Sequence, residues 1–229
     1  MRSLLDTAPT KARVIIVDDH PLVRHGLAKL INQEKDMEVC GEASGATDAL
    51  ELFTHQKADV AVIDLSLKDG DGLALIEHIR ENHPSIKVLV SSMHDETLFA
   101  ERVLHAGAKG YINKQEATTE LIDAIRTILK GKIHLSTEMA DRMLIQITDI
   151  ERATETEPTE RLSTRELEVF QMIGKGYATR QISEELQLSI KTIETHRASI
   201  KRKLNLETAA ELTRRAVQWD LERESSAQT

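Results

Sequence analysis

The 229-residue sequence predicts an α/β protein: an open, doubly wound sheet of five parallel strands, followed by a small all-α unit of four helices. Three observations carry that prediction. From Arg13 to about Lys130, short apolar runs alternate with amphipathic stretches of helical period, the pattern of a parallel sheet covered on both faces. Those apolar runs are continuous rather than alternating, as strands buried on both sides must be. From Leu162 the strand pattern stops and only helix-period segments remain.

The strands, in order, are Val14–Val17, Glu38–Ala43, Val60–Asp64, Lys87–Ser92 and Gly110–Asn113. Between and after them lie the amphipathic stretches PLVRHGLAKLIN, ATDALELFTHQ, GLALIEHIREN, TLFAERVLHAG and ELIDAIRTILKG, with Gly107 and Gly131 where helix C-caps are expected. A further helix fits Ser136–Ile147. The polar, acidic stretch from Thr148 to Glu160, with Pro158 and no periodicity, reads as a linker. Beyond it, Ser163 and Glu166 form a capping-box signature with Leu162 and Leu167 as its apolar staple. Later helices are read at Thr179–Leu186, Ile190–Leu204 and Thr208–Trp219, the last opened by a second box, Thr208 with Glu211. The resulting division is an N-terminal segment 1–12, an α/β domain 13–131, a linker with a helix 132–160, a helical domain 161–220 and a C-terminal tail 221–229.

Composition sets limits on function. The chain is 40% hydrophobic and 30% charged, with 3% aromatics, so its cores must be aliphatic. A single cysteine, Cys40, excludes an internal disulfide and a thiolate metal cluster, and it reads as a small buried residue in a strand. The N-terminus lacks the sustained apolar run of a signal peptide, and no stretch approaches a membrane span, so the cytoplasm is the expected compartment. The net charge of −8 is unevenly spread. Residues 1–150 hold 17 Lys/Arg against 24 Asp/Glu, whereas Arg161 to Trp219 holds 11 against 7. The acidic average therefore hides a basic C-terminal unit.

The first strand runs directly into Asp18 and Asp19, and the third ends at Asp64. Two adjacent aspartates taken alone fit a turn or a helix N-cap as well as they fit a functional site. In an open α/β sheet, however, sites form beyond the carboxyl ends of strands where strand order reverses. If the first and third strands are neighbours, three carboxylates share one pocket. Such a set needs a cation, and all-oxygen ligation suits Mg²⁺. A carboxylate beside Mg²⁺ can act as a nucleophile toward phosphorus. Ser92 ends the fourth strand with a hydroxyl, and Lys114 follows the fifth with a positive charge, so both can hold a phosphoryl group on Asp64. His20 reads as a helix-start or surface residue rather than a metal ligand.

These residues carry a resemblance. VDDH (Val17–His20), VIDLSLKDGDG (Val62–Gly72), SSMH (Ser91–His94) and GYINK (Gly110–Lys114) resemble the flavodoxin-like receiver domain of bacterial two-component response regulators. The resemblance implies that Asp64 accepts a phosphoryl group from a sensor histidine kinase. It implies Mg²⁺ held by Asp18, Asp19, Asp64 and the Ser66 backbone carbonyl, with Asp19 a direct ligand. Ser92 and Tyr111 would be the switch pair, the hydroxyl moving toward the phosphate and the ring turning inward behind it. Gln115 stands where many members have a proline, often cis, after the lysine. A phosphatase of the haloacid dehalogenase type also uses a strand-end aspartate, but it needs a second one two residues on, where this chain has Ser66. A regulator that keeps the pocket but answers to a ligand remains a second alternative.

The stretch from Leu162 to Trp219 resembles the LuxR-type helix-turn-helix module, and the whole chain resembles a NarL/FixJ-type response regulator. On a helical wheel Ile190, Ile193, Ile200 and Leu204 share one face, and Lys191, Thr195, Ala198, Ser199 and Arg202 the other. Small and basic side chains are what a major groove accepts. Lys191, Glu194, Thr195 and Ala198 are expected at base edges, and Arg180, Thr192, Lys201 and Arg202 at phosphates. Glu194 either accepts from a cytosine amine or restrains a neighbouring arginine. Arg197 lies toward the buried side of the wheel, where structural and DNA roles are both open. The resemblance implies a phosphoprotein that regulates transcription by binding promoter DNA as a homodimer through Thr208–Trp219. It does not imply an enzyme beyond the Mg²⁺-dependent self-phosphorylation and dephosphorylation of the receiver.

Overall fold

The computed structural model describes residues 11–115, 117–148 and 158–227. The chain divides into two compact units, 1–153 and 154–229. In the first, strands β1 (Ala12–Val17), β2 (Met37–Ala43), β3 (Val60–Ile63), β4 (Lys87–Ser92) and β5 (Gly110–Asn113) form one parallel sheet in the order β2-β1-β3-β4-β5. The five helices that follow the strands are α1 (Pro21–Gln33), α2 (Ala46–His55), α3 (Gly72–Asn82), α4 (Glu96–Ala106) and α5 (Ala117–Leu129). The strand order reverses between β1 and β3, which places the ends of those two strands side by side.

The continuous apolar runs are explained by burial on both faces. Val14 through Val17 and Val60 through Ile63 are each essentially inaccessible to water. Val14, Ile16, Val60, Val62, Leu89 and Ile112 form one core with Leu27 and Ile31 of α1 and Leu121, Ile125 and Ile128 of α5. At roughly 1.5–3 kcal/mol for each large aliphatic side chain fully buried, such packing dominates the sheet's stability. α4 ends where expected, at Gly107, whose φ of +122° lies outside the range that side-chain-bearing residues readily adopt.

The segment after α5 continues along the sheet edge. His134 donates its amide to the Lys109 carbonyl and accepts from the Tyr111 amide, both at 2.9 Å, before α6 (Thr137–Thr148) begins. The acidic stretch expected to link the units lies largely outside the described residues.

The second unit opens with a 3-10 turn at Pro158–Arg161 and continues as α7 (Thr164–Gly174), α8 (Thr179–Glu185), α9 (Ile190–Lys203) and α10 (Ala209–Ala227). Both capping boxes form. The Glu166 amide donates to Ser163 Oγ at 3.3 Å and the Ser163 amide to Glu166 Oε2 at 2.8 Å. The Glu211 amide donates to Thr208 Oγ1 at 3.1 Å. Leu162 and Leu167 are both buried, as the staple requires. α10 runs past Trp219 to Ala227, so residues assigned to a tail extend a helix that the apolar period alone ended too early.

Candidate functional site

The backbone of the sheet sets the site before any side chain does. Val17 pairs with Ile63, and the Asp64 amide donates to the Val17 carbonyl at 2.8 Å, so Asp18 and Asp64 leave neighbouring strands at the same level. Ser92 pairs with Asn113, and the Lys114 amide donates to the Ser92 carbonyl at 2.8 Å. Four strand ends therefore converge on one spot.

All three carboxylates there are buried: Asp18 is 2% exposed, Asp19 6% and Asp64 2%. Lys114 Nζ lies 2.8 Å from Asp18 Oδ2 and 2.6 Å from Asp64 Oδ2. Burial works to lower the Lys114 pKa, but Asp64 and Asp18 outweigh it and hold the ammonium above its ordinary value. The other oxygens of these two aspartates are also satisfied. The His20 amide donates to Asp18 Oδ1 at 2.8 Å, and the Ser66 amide to Asp64 Oδ1 at 3.2 Å. Asp19 differs. Its Oδ2 faces the exposed Lys68 ammonium at 3.9 Å, and its buried Oδ1 accepts no hydrogen bond although His20 Nδ1 stands 2.6 Å away. Burying a carboxylate oxygen without a partner is costly, and a cation among these ligands removes that cost. Oxygens of Asp18, Asp19 and Asp64 and a ring nitrogen of His20 all lie within 4.8 Å of one another. The residues present thus fit a divalent cation, and the carboxylate donors suit Mg²⁺.

The turn after β3 is built around Asp64. Asp71 caps α3 by accepting from the Leu73 amide at 3.1 Å. Asp69 accepts from the Ala46 and Thr47 amides at 2.8 and 3.2 Å, tying the turn to the start of α2. A Cβ at Gly72 would stand 2.5 Å from the Asp64 carbonyl oxygen, so only glycine allows this close crossing.

Ser92 and Tyr111 are both buried, the phenol ring being 1% exposed. Tyr111 thus lies inside the fold, with its hydroxyl donating to the His94 carbonyl at 2.9 Å. Burial pushes its pKa well up, against an opposing hydrogen bond with Ser92. His94 is the residue that sequence reasoning passed over. Its amide donates to Ser92 Oγ at 3.3 Å, its Nε2 is 2.6 Å from Ser66 Oγ, and its ring packs on Phe99 with centroids 4.8 Å apart. Its place two residues beyond a strand-end serine was the available signal. Gln115 disturbs nothing here: its amide donates to Asn113 Oδ1 at 2.9 Å, no described peptide bond is cis, and Lys114 still reaches both aspartates. His20 is at the N-cap of α1 with its side chain 57% exposed. Cys40 is half-buried rather than buried, because β2 is an edge strand, and burial pushes its thiol pKa up.

In the second unit, Lys191, Glu194, Thr195, Ala198 and Arg202 form an exposed stripe on α9, while Thr192 and Lys201 are half-buried beside it. Arg180 is exposed on α8 and paired with Glu184 at 3.1 Å. Ile193 and Ile200 face the core, but Ile190 is 53% exposed, so the expected four-residue apolar face does not reach the first position of α9, where no neighbouring helix covers it. Ser199 is half-buried and turns toward Glu166, so it leaves the polar stripe on which the wheel placed it. Glu194 accepts from Thr179 Oγ1 at 3.1 Å and lies 3.7 Å from Arg197, whose side chain is 16% exposed. Lys203 is committed to structure: its Nζ is 2.6 Å from Glu166 Oε2, joining the end of α9 to the start of α7. This arrangement presents one helix with a polar, partly basic outer face on a scaffold that fixes its direction.

Comparison with known proteins gives a consistent result. Residues 14–126 match the model of the response regulator receiver domain, and residues 160–216 match that of bacterial regulatory proteins of the luxR family. The oxygen regulatory protein NreC of Staphylococcus epidermidis is 36% identical over 214 residues, covering 91% of this chain and 98% of NreC. RcsB from Salmonella enterica serovar Typhimurium, solved bound to promoter rprA with the phosphomimetic BeF3-, is 30% identical with a TM-score of 0.55, covering 90% of this chain and 98% of that one. A structure of two RcsB dimers bound to two parallel DNAs is 31% identical with a TM-score of 0.56, covering 90% and 97%.

Proposed function

The chain belongs to the NarL/FixJ-type two-component response regulators, DNA-binding transcriptional regulators with a receiver and a LuxR-type module, and on that premise we propose that Asp64 is its phosphoryl acceptor. One observation carries the assignment. Asp64 is the buried carboxylate at the end of β3, within the VIDLSLKDGDG motif, with the Lys114 ammonium on one oxygen and the Ser66 amide near the other.

In this reading a sensor histidine kinase presents a phosphohistidine. An Asp64 oxygen attacks phosphorus, the P–O bond forms as the P–N bond breaks, and the imidazole leaves with a proton. Asp18, Asp19, Asp64 and the Ser66 carbonyl would hold Mg²⁺, which would supply neutralising charge for the transferring group. Lys114 pairs with the new anion, and the Ser92 hydroxyl donates to it. A charge of about −1.5 to −2 then replaces one carboxylate charge. Ser92 cannot turn toward it without disturbing the His94 amide and the Tyr111 contact that share its hydroxyl. That is the physical link from phosphate to the β4–α4 face.

The receiver extends from 13 to 131, the linker from 132 to 160 and the DNA-binding domain from 161 to 220. Lys191, Glu194, Thr195 and Ala198 approach base edges, and Arg180, Thr192, Lys201 and Arg202 approach phosphates. The exposed stripe on α9 supports this reading, as does the DNA-bound state of the related RcsB. A homodimer pairing through α10 binds half-sites about 10 base pairs or a multiple apart. Val217 and Leu221, one turn apart and both exposed on α10, favour that pairing. Among the described residues no helix is long and apolar enough to cross a membrane, and the cytoplasm is the compartment we infer for such a regulator.

The test is intact mass after incubation with a small acyl phosphate, with and without Mg²⁺, on wild type and Asp64→Asn. One base-labile phosphoryl group on wild type only, dependent on Mg²⁺, is expected. An equal adduct on Asp64→Asn would sink the assignment. Turnover of a phosphate ester well beyond one equivalent would revive a phosphatase.

A further inference from the structure

We propose that His20 is a nitrogen ligand of the receiver cation, making this pocket more selective for a borderline first-row dication such as Co²⁺, Ni²⁺ or Zn²⁺ over Mg²⁺ than carboxylates alone would. The inference rests on the reading of the pocket as a divalent-cation site and adds a residue that the reading does not use.

The geometry at Asp19 carries it. His20 Nδ1 lies 2.6 Å from Asp19 Oδ1 and 3.4 Å from Asp18 Oδ1. Yet Asp19 Oδ1, in a residue 94% buried by its 6% exposure, accepts no hydrogen bond. A ring nitrogen of His20 and oxygens of Asp18, Asp19 and Asp64 all lie within 4.8 Å of one another, close enough to share one cation. The other carboxylates are already bonded to Lys114 and to backbone amides, so the orphaned oxygen is the one beside the imidazole. The chain holds His20 in place. Its amide is bonded to Asp18 Oδ1, and the fixed φ of Pro21 starts α1 directly behind it. With its side chain 57% exposed, the ring roofs the pocket from the solvent side and reaches the cation without being sealed in.

The donor set decides which ions gain. Mg²⁺ prefers oxygen and keeps its waters, so an imidazole adds little to its binding. Imidazole suits Co²⁺, Ni²⁺ and Zn²⁺, and affinity for nitrogen sites rises along the first row. His20 therefore widens the gap between those ions and Mg²⁺.

The experiment uses the full chain at fixed neutral pH. Mn²⁺ bound to wild type, His20→Ala and His94→Ala is examined by pulsed EPR for directly coordinated nitrogen, and Co²⁺ and Mg²⁺ affinities are measured by calorimetry. Wild type and His94→Ala should show the nitrogen signature and His20→Ala should lose it. Co²⁺ affinity should fall about tenfold or more in His20→Ala, the scale that loss of even an outer-shell partner reaches. Mg²⁺ affinity should stay within about twofold of wild type, since oxygen ligands hold it. A nitrogen signal that survives in His20→Ala, or Co²⁺ and Mg²⁺ affinities that fall together, would overturn the proposal. Mg²⁺ and Mn²⁺ binding to wild type without a nitrogen signal removes His20 alone. Failure of every cation to bind wild type removes the cation pocket itself.

Discussion

Lys114 Nζ lies 2.6 Å from Asp64 Oδ2, with both side chains at least 95% buried. The lysine serves the same carboxylates that would hold the proposed divalent cation. Lys114→Met should therefore destabilise the receiver by about 3–5 kcal/mol without metal, the usual cost of leaving buried charge unpaired. Mg²⁺ should raise the variant's melting temperature more than it raises wild type's, because the carboxylates are freer to bind it. The lysine pKa is raised by folding, so its contribution is fully present at neutral pH and is lost only as pH rises through a folded value above the ordinary lysine range. Melting curves with and without Mg²⁺, repeated into the alkaline range, check both statements. A variant that melts like wild type in metal-free buffer contradicts the first.

Gly72→Ala should perturb Asp64, the proposed acceptor, through its backbone. The new methyl would meet the Asp64 carbonyl oxygen at 2.5 Å and Leu65 Cα at 2.6 Å, both backbone atoms that cannot swing aside. A loss of about 1–3 kcal/mol is expected from overpacking, together with slower phosphoryl uptake. Chemical denaturation and the rate of mass gain with an acyl phosphate report the two effects.

Glu166 closes a capping box and also accepts from Lys203 at 2.6 Å. Burial works to raise its pKa, but hydrogen bonds from Lys203, Ser199 and the Ser163 amide win and hold it below the ordinary glutamate value. Its stabilisation is thus present above that ordinary value and is lost as pH falls through the lower folded value. Glu166→Gln should cost the helical unit about 1–3 kcal/mol near neutral pH, with the difference shrinking in acid. Trp219, the only tryptophan, packs on Phe170 in this unit, so its fluorescence reports the unit's unfolding.

On DNA, Lys191→Ala should cost about 1–3 kcal/mol and relax preference at one base position. Arg202→Ala should weaken binding to all sequences alike and reduce the salt slope by about 1. Titrations against matched and scrambled sites at several salt concentrations separate these outcomes. Equal losses on both sites for Lys191→Ala would move that residue to the phosphate group.

Much of this was written in local pattern. The five apolar runs mark the strands within a residue or two, because burial on both faces leaves no room for polar side chains. Ser163 with Glu166, and Thr208 with Glu211, announce helix starts because a cap depends only on residues three apart. Ile190 was misjudged because a wheel gives direction but not the length of the neighbouring helix. The reach of α10 to Ala227 was missed because its last turns carry charged rather than apolar period.

The sequence by itself determined that three aspartates, a serine and a lysine stand at strand ends, since strand ends follow from where hydrophobicity stops. Only the tertiary structure decided that these ends meet, because the order β2-β1-β3-β4-β5 is a choice among strand neighbours that no local pattern encodes. It also decided which carboxylate oxygen, Asp19 Oδ1, is left without a hydrogen bond. Hydrogen bonds to Asp18 and Asp64 come from residues up to 96 positions away, from Lys114 above all, and their geometry exists only once the sheet has closed.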